Sequence, residues 1–384
     1  MKKLGITVIV IIISGMVFVL SSLSKPSKIS SSRLISLPST NDDYARAESI
    51  RTFSFPKDHG PHPEFQTEWW YYTGNLISQD GKHFGYQLTF FRRSIVPITK
   101  LEPRGSNWAA DQVYLAHFTL TDVSKNEFYY YEKLERGAAN LAGASGEPTF
   151  SVWLHDWQVA QTADNSYTLQ AAANENKIVL SLMDSKKPIL HGNNGLSQKG
   201  PELGNASYYI SQTRLISSGV IKINDEEYQV TGNSWMDHEF STSALSGEQI
   251  GWDWFSIQLD NNTEIMVYKI RRSDGSQDPF SAGTIVYPDR NVRTLTIDDF
   301  SIEETAKWKS PNTNTLYPSR WTIEIPSENI YLEIKPMIPD QELRVSFTYW
   351  EGAVLVEGIY AGSKVSGYGY VELTGYSESM QGTF

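Results

Sequence analysis

Apolar positions recur with a period of two over much of the chain. Phe84, Tyr86, Leu88 and Phe90 alternate with Gly85, Gln87 and Thr89. Tyr114, Ala116, Phe118 and Leu120 alternate with Leu115, His117 and Thr119. Trp321, Ile323 and Ile325 repeat the pattern, as do Ile330, Leu332 and Ile334. That period marks strands with one buried face. Turn clusters such as Gln79-Asp80-Gly81, Asp260-Asn261-Asn262 and Ser273-Asp274-Gly275 separate the runs. No sustained amphipathic helix is visible, and the helix candidates are short connections such as residues 297–306.

One unit recurs. Glu68-Trp69-Trp70-Tyr71 leads through Leu76 and Asp80 to a run ending Arg92-Arg93. Trp252-Asp253-Trp254-Phe255 leads through Leu259 and Asp260 to a run ending Arg271-Arg272. Two copies of one β unit account for this. Antiparallel strands at such spacing close into barrels or sandwiches, which protect their edges. Gly352, Gly358, Gly362, Gly367 and Gly369 suit the bends of a closing sheet. A length of 384 residues exceeds one ordinary core. The expected fold is all-β, with domains at 49–215 and 216–384.

The N-terminus follows a different pattern. Lys2 and Lys3 precede an uncharged run over residues 4–24. This reads as an export signal or a membrane anchor, with the body outside the cytoplasm. Residues 25–48 are polar and aperiodic, as in a linker. The net charge of −11 and the lack of a basic patch argue against a nucleic-acid partner. The chain has no Cys, which excludes disulfides, thiolate metal sites and a Cys nucleophile.

The richest chemistry lies in residues 232–259. Asp237, His238, Glu239 and Asp253 stand among Trp235, Phe240, Trp252, Trp254 and Phe255. A carboxyl set among aromatic rings is costly to ionise and can act as an acid near neutrality. The alternative for any one of them is a strand-end acid bonded to backbone amides. On a strand, neighbours point to opposite faces. Trp235 and Asp237 then share a face, with His238 opposite. Trp252 and Trp254 share another, with Asp253 opposite. Asp237 is therefore the expected acid, and Asp253 a structural partner unless its face is the barrel interior.

A second motif spans residues 55–76 and holds Asp58, His59, His62, Glu64 and Glu68. Its imidazoles and carboxylates suit zinc or iron. Gly60, Pro61 and Pro63 prevent a helix from presenting both His on one face. The expectation is a rigid loop, bonded within itself, that seals a barrel end, and no metal. A third motif joins Tyr349-Trp350-Glu351-Gly352 to residues 367–376 and reads as terminal-strand packing. No nucleophile elbow, Walker loop or dinucleotide glycine motif is present.

The three motifs together resemble the carotenoid 1,2-hydratase-like, or AttH-like, family, also called hydroxyneurosporene synthase-like. The carriers are F-P-K-D-H-G-x-H-P-x-F-x-T-E-W-W-Y-x-T-G-N-L, W-M-D-H-E-F with G-W-D-W-F-S-I-Q-L, and Y-W-E-G-A-V with G-Y-V-E-L-T-G-Y. The resemblance implies tandem lipocalin-like β-barrels and an isoprenoid or other apolar lipid ligand. Acid-initiated hydration or cyclisation of an alkene would need a carboxylic acid, aromatic faces for a cation and a dry cavity. Asp237 and Asp253 are candidate acids, and His238 a group to orient the acid or hold water. Trp235, Trp252, Trp254, Tyr268, Trp69 and Trp70 are candidate walls. No cofactor is required. Two alternatives stay open: a non-catalytic carrier serving an envelope transporter, and a secreted hydrolase.

Overall fold

The computed structural model describes residues 43–381, apart from 103, 104, 164, 243, 244 and 246. The apolar leader and most of the linker lie outside the described residues. The described residues form two antiparallel sheets, of 13 and 10 strands, with three short 3-10 turns.

The first sheet runs from Glu127–Arg136 through Gln112–Asp122, His83–Ser94 and Thr67–Ser78 to Glu226–Ser241. It continues through Ala206–Ile223 and Asn176–Asp184 towards Ala142–Ser145. The second runs from Val292–Thr296 through Glu264–Arg272, Gln249–Leu259 and Ser363–Leu373 to Thr348–Tyr360, ending at Ser301–Lys309. Each coils around its own core, as lipocalin-like barrels do. The first core holds Trp70, Tyr72, Phe118, Trp157 and Met236. Phe118 and Trp157 meet edge to face at 5.6 Å across it. The second holds Phe255, Ile257, Trp321, Trp350 and Val371.

Two expectations need correction. The junction expected at 215 falls inside the continuous strand Ala206–Ile223. This strand and Glu226–Ser241 both belong to the first sheet, so the change of sheet lies between Ser241 and Gln249. At 215 there is only a bulge, between Gln212 and Leu215, and the ladder continues past it. The helix candidate at 297–306 is largely strand, Ser301–Lys309, paired with Leu316–Ile325. Ile302 and Trp308, an even number of residues apart, pack on the second core. The period there was two all along.

The recurring unit is a pair of hairpins. Thr67–Ser78 pairs with His83–Ser94, and Gln249–Leu259 pairs with Glu264–Arg272. Each turns one row of side chains into its own core and the other row towards the opposite sheet. The second row of the first barrel is polar but buried: Gln87, Thr89, His117, Thr119 and Thr121 are all inaccessible. It bonds across to the second sheet. His117 Nδ1 lies 2.7 Å from the Tyr349 hydroxyl, and Asn75 Nδ2 donates to the Gly369 carbonyl at 2.9 Å. The sheets approach closely at Gly85, where an added Cβ would sit 2.6 Å from the Ala353 Cβ.

Candidate active site between the barrels

A cavity of about 140 Å³ lies between the two sheets rather than inside either barrel. The first sheet contributes Trp69, Tyr71, Tyr209, Asp237 and Glu239. The second contributes Trp252, Trp254, Tyr268, Ile270 and Glu372. Parity explains the selection. Trp70 and Tyr72 fill the first core while Trp69 and Tyr71 face the cavity. Phe255 and Ile257 fill the second core while Trp252 and Trp254 face the cavity. Phe91, Leu245, Phe347 and Met380 supply an apolar part of the lining, and Lys199 and Ser207 a polar part.

Asp237 is the most constrained group. It is 4% exposed. One oxygen accepts from Trp235 Nε1 at 2.6 Å and from the Ser211 hydroxyl. The other accepts from the Tyr209 hydroxyl at 2.5 Å, and Tyr209 in turn accepts from Trp254 Nε1 at 2.9 Å. Burial pushes the Asp237 carboxyl up to about 7, although bonds from Ser211, Tyr209 and Trp235 pull the other way. It can thus hold or release a proton near neutrality.

Glu372 faces the same cavity from the second sheet. It accepts from Trp252 Nε1 at 2.7 Å. Burial pushes it up to about 7, and the nearby Asp237 and Glu239 add to the rise. Its cross-strand neighbour is Glu351, which is fully buried and accepts from the Tyr71 hydroxyl. Burial, and then the charge of Glu372, hold Glu351 far above the usual carboxylate range. Lys199 sits 3.4 Å from Glu239 and 4.1 Å from the Tyr268 ring centroid. Burial opposes its charge, but Glu239 and Tyr268 outweigh that and keep its pKa raised.

The other candidates take different places. Trp235 acts as a donor to Asp237 and packs with Trp254 in the apolar cluster between the sheets. His238 and Trp70 are on the far face of their strands. They stack at 5.0 Å in the first barrel, where His238 Nε2 bonds Glu68 at 2.8 Å. Neither reaches the cavity, so neither orients the acid nor walls the ligand. Asp253 faces the interior of the second barrel, but Arg271 Nε lies 2.9 Å away and the Tyr376 hydroxyl donates to it at 3.0 Å. Arg271 pairs with it there, although burial still pushes its pKa up.

The loop of the second motif is bonded within itself. Asp58 accepts from Arg51 at 2.8 Å and from the Ser54 amide at 2.5 Å. His62 bonds Glu68 at 2.9 Å and Asp58 at 3.2 Å. Those two carboxylates outweigh burial and keep its pKa raised. The ligand atoms of His62, Glu68 and His238 gather within 4.8 Å of one another. Arg92 Nε already bonds the Glu68 carboxylate at 2.8 Å, so a cation there would meet a guanidinium.

Tyr71, Tyr209, Ser211, His191 and Glu372 were not found from sequence. His191 Nε2 lies 2.6 Å from the Ser211 hydroxyl. The order is His–Ser–Asp, with Ser in the middle, so the group does not have the geometry of a hydrolytic triad. Continuing the odd parity of Trp69 would have found Tyr71. Placing the G-Y-V-E-L-T-G-Y strand beside Gln249–Leu259 would have found Glu372.

Known proteins place the chain. The AttH-like family profile matches residues 46–376. The chain belongs to the AttH-like family. A Nitrosomonas europaea protein assigned to AttH is 33% identical, with 86% of this chain and 99% of that one covered and a TM-score of 0.77. Kievitone hydratase of Nectria haematococca shares the fold at 13% identity, with 88% of this chain and 97% of that one covered and a TM-score of 0.65. Dehydratase asqC of Emericella nidulans is 23% identical over 226 residues, which span 55% of this chain and 62% of that protein's length. This AttH-like chain therefore has a lipocalin-like architecture, and it shares its fold with kievitone hydratase.

Proposed function

We propose that this protein binds an apolar, alkene-bearing molecule between its barrels and adds or removes water there, or cyclises it, by acid–base catalysis. One observation carries the reading. Asp237 is a buried carboxyl poised at about 7 in an aromatic-walled cavity. The activities of the similar proteins, a hydratase and a dehydratase, support it. In hydration, a carboxylic acid gives its proton to the alkene carbon. Trp69, Trp252 and Trp254 face the resulting cation with their π clouds. Water adds to the cation and its proton returns to a carboxylate. Asp237 and Glu372 are the two carboxyls that can exchange these roles, and no cofactor is needed. An isoprenoid suits the apolar walls.

A second reading has a specific observation in its favour. Both oxygens of Asp237 already accept from protein donors. That suits a carrier that only holds its ligand and passes it on, for instance to an envelope transporter. The deciding experiment isolates lipids that co-purify with the chain from native membranes and identifies them by mass spectrometry. The identified lipid is then incubated in D₂O. Deuterium on carbon in wild type, reduced about 10²–10⁴-fold in Asp237→Asn with binding retained, supports catalysis. Unchanged lipid with tight binding overturns it in favour of carriage.

The site of action proposed is outside the cytoplasm, on the strength of Lys2, Lys3 and the uncharged run at 4–24. A C-terminal reporter fusion active only in the cytoplasm would refute this.

A further inference from the structure

Thirteen large apolar side chains stand exposed among the described residues, and six of them lie in or near one short segment. That segment is 43–50, the first of the described residues. Ile95, Ile98, Leu101 and Trp108 follow the strand His83–Ser94 and are 38%, 47%, 41% and 61% exposed. Leu203 is 75% exposed and Ile50 52% exposed. That segment ties these together. Asp43 pairs with Lys100, and the Tyr44 hydroxyl donates to the Ser94 carbonyl at 3.1 Å. Gly204, next to Leu203, packs against Arg46.

The same end of the molecule borders the cavity. Thr67, Phe91, Ser241 and Lys199 line it. Thr242, one residue past Ser241, donates to the Ala45 carbonyl at 2.5 Å. Phe91 is three residues before Ser94, and Lys199 is four before Leu203. An apolar fringe thus lies around the segment 43–50, beside one end of the cavity.

Exposed Trp, Ile and Leu on loops suit the boundary between headgroups and acyl chains. Charge is not the attraction, since the chain carries a net −11. Residues 4–24 have the length and composition of a bilayer segment, and 25–42 lie between them and Asp43. Fully extended, that link reaches about 60 Å at most, so an anchored chain keeps this end within reach of the bilayer.

We propose that the apolar fringe formed by Ile50, Ile95, Ile98, Leu101, Trp108 and Leu203 docks on a lipid bilayer surface, setting the adjoining end of the cavity against the membrane. An apolar ligand then passes between bilayer and cavity without crossing water. The docking is independent of whether the cavity performs chemistry.

The absence of Cys makes single labels simple. The full chain, carrying Ile98→Cys, Leu203→Cys or Ile359→Cys, is labelled with a nitrobenzoxadiazole fluorophore and reconstituted with phosphatidylcholine vesicles. Ile359 is 46% exposed at the far end of Thr348–Tyr360 and serves as the control. Acyl-brominated phosphatidylcholine should quench the labels at 98 and 203 severalfold more than the label at 359. Equal quenching at all three positions, or none at 98 and 203, overturns the proposal, because a tether alone gives that result. Changing Ile98, Leu101 and Trp108 to Ser together should cut the quenching at Leu203→Cys severalfold, and unchanged quenching overturns it as well. Uptake of a fluorescent fatty acid from the same vesicles, read by energy transfer from Trp, reports on the cavity separately. Docking without uptake leaves the docking standing and argues against a fatty-acyl ligand in the cavity.

Discussion

The state of Asp237 predicts how stability depends on pH. Its ordinary pKa is 3.8, and burial pushes it up to about 7. The folded protein therefore holds this proton more tightly than the unfolded chain does. The stability linked to it is fully present below about pH 4 and is lost as pH rises through about 7. At about 1.4 kcal/mol per pH unit, the loss amounts to about 4 kcal/mol. Asp237→Asn removes the titration while keeping size and most bonding. Urea unfolding of both proteins from pH 4.5 to 8.5 checks this. Wild type should fall towards high pH relative to the variant by about 3 kcal/mol across this range, since part of the loss is already complete at pH 4.5. Groups not coupled to Asp237, such as His62, cancel in the difference, whereas Glu372, which Asp237 helps to raise, falls somewhat in the variant. Parallel stability curves would refute the reasoning, since Asp237 would then be ionised in both states throughout.

Two further outcomes follow from other parts of the structure. Arg92→Met leaves Glu68 buried without its guanidinium, so chemical denaturation should show a loss of about 3–5 kcal/mol, and wild-type stability would mean that His62 and His238 carry the charge alone. Gly85→Val places a side chain against Ala353 and should cost about 1–3 kcal/mol in thermal or urea unfolding while weakening ligand-induced Trp quenching, because it separates the sheets at their contact.

Much of the fold was legible because one signal, the period of two, is local. It identifies strands wherever a core-facing row is apolar, as at Phe84 to Phe90 and Trp321 to Ile325. It says nothing about what faces the other row. Gln87, Thr89 and His117 read as a solvent-facing row, yet they are buried against the second sheet. Hydroxyls, amides and imidazoles from both sheets bond each other there, and no local pattern distinguishes such an interface from a wet surface. The junction at 215 failed for a related reason. Strand pairing is a long-range property, and the partner of Ala206–Ile223 is a strand of the first sheet.

The same physics explains which parts of the site could be read. Parity along one strand separates Asp237 from His238, and Trp254 from Asp253, so the sequence alone can sort each strand into two faces. It cannot say which face of which strand meets a neighbour. Trp69 and Trp70 are equally aromatic, but only Trp69 faces the cavity, because Trp70 is committed to the first core. Glu372 needed the pairing of Ser363–Leu373 with Gln249–Leu259 to bring it beside Trp252. Once both sheets are in place, the cavity follows. The outward rows bring Trp69, Tyr71, Trp252, Trp254, Asp237 and Glu372 to line a space rather than to close on one another. A ligand-binding space between two barrels is what remains when such rows face each other. The carboxyls in it shift towards neutrality because the same aromatic walls keep water from their charge.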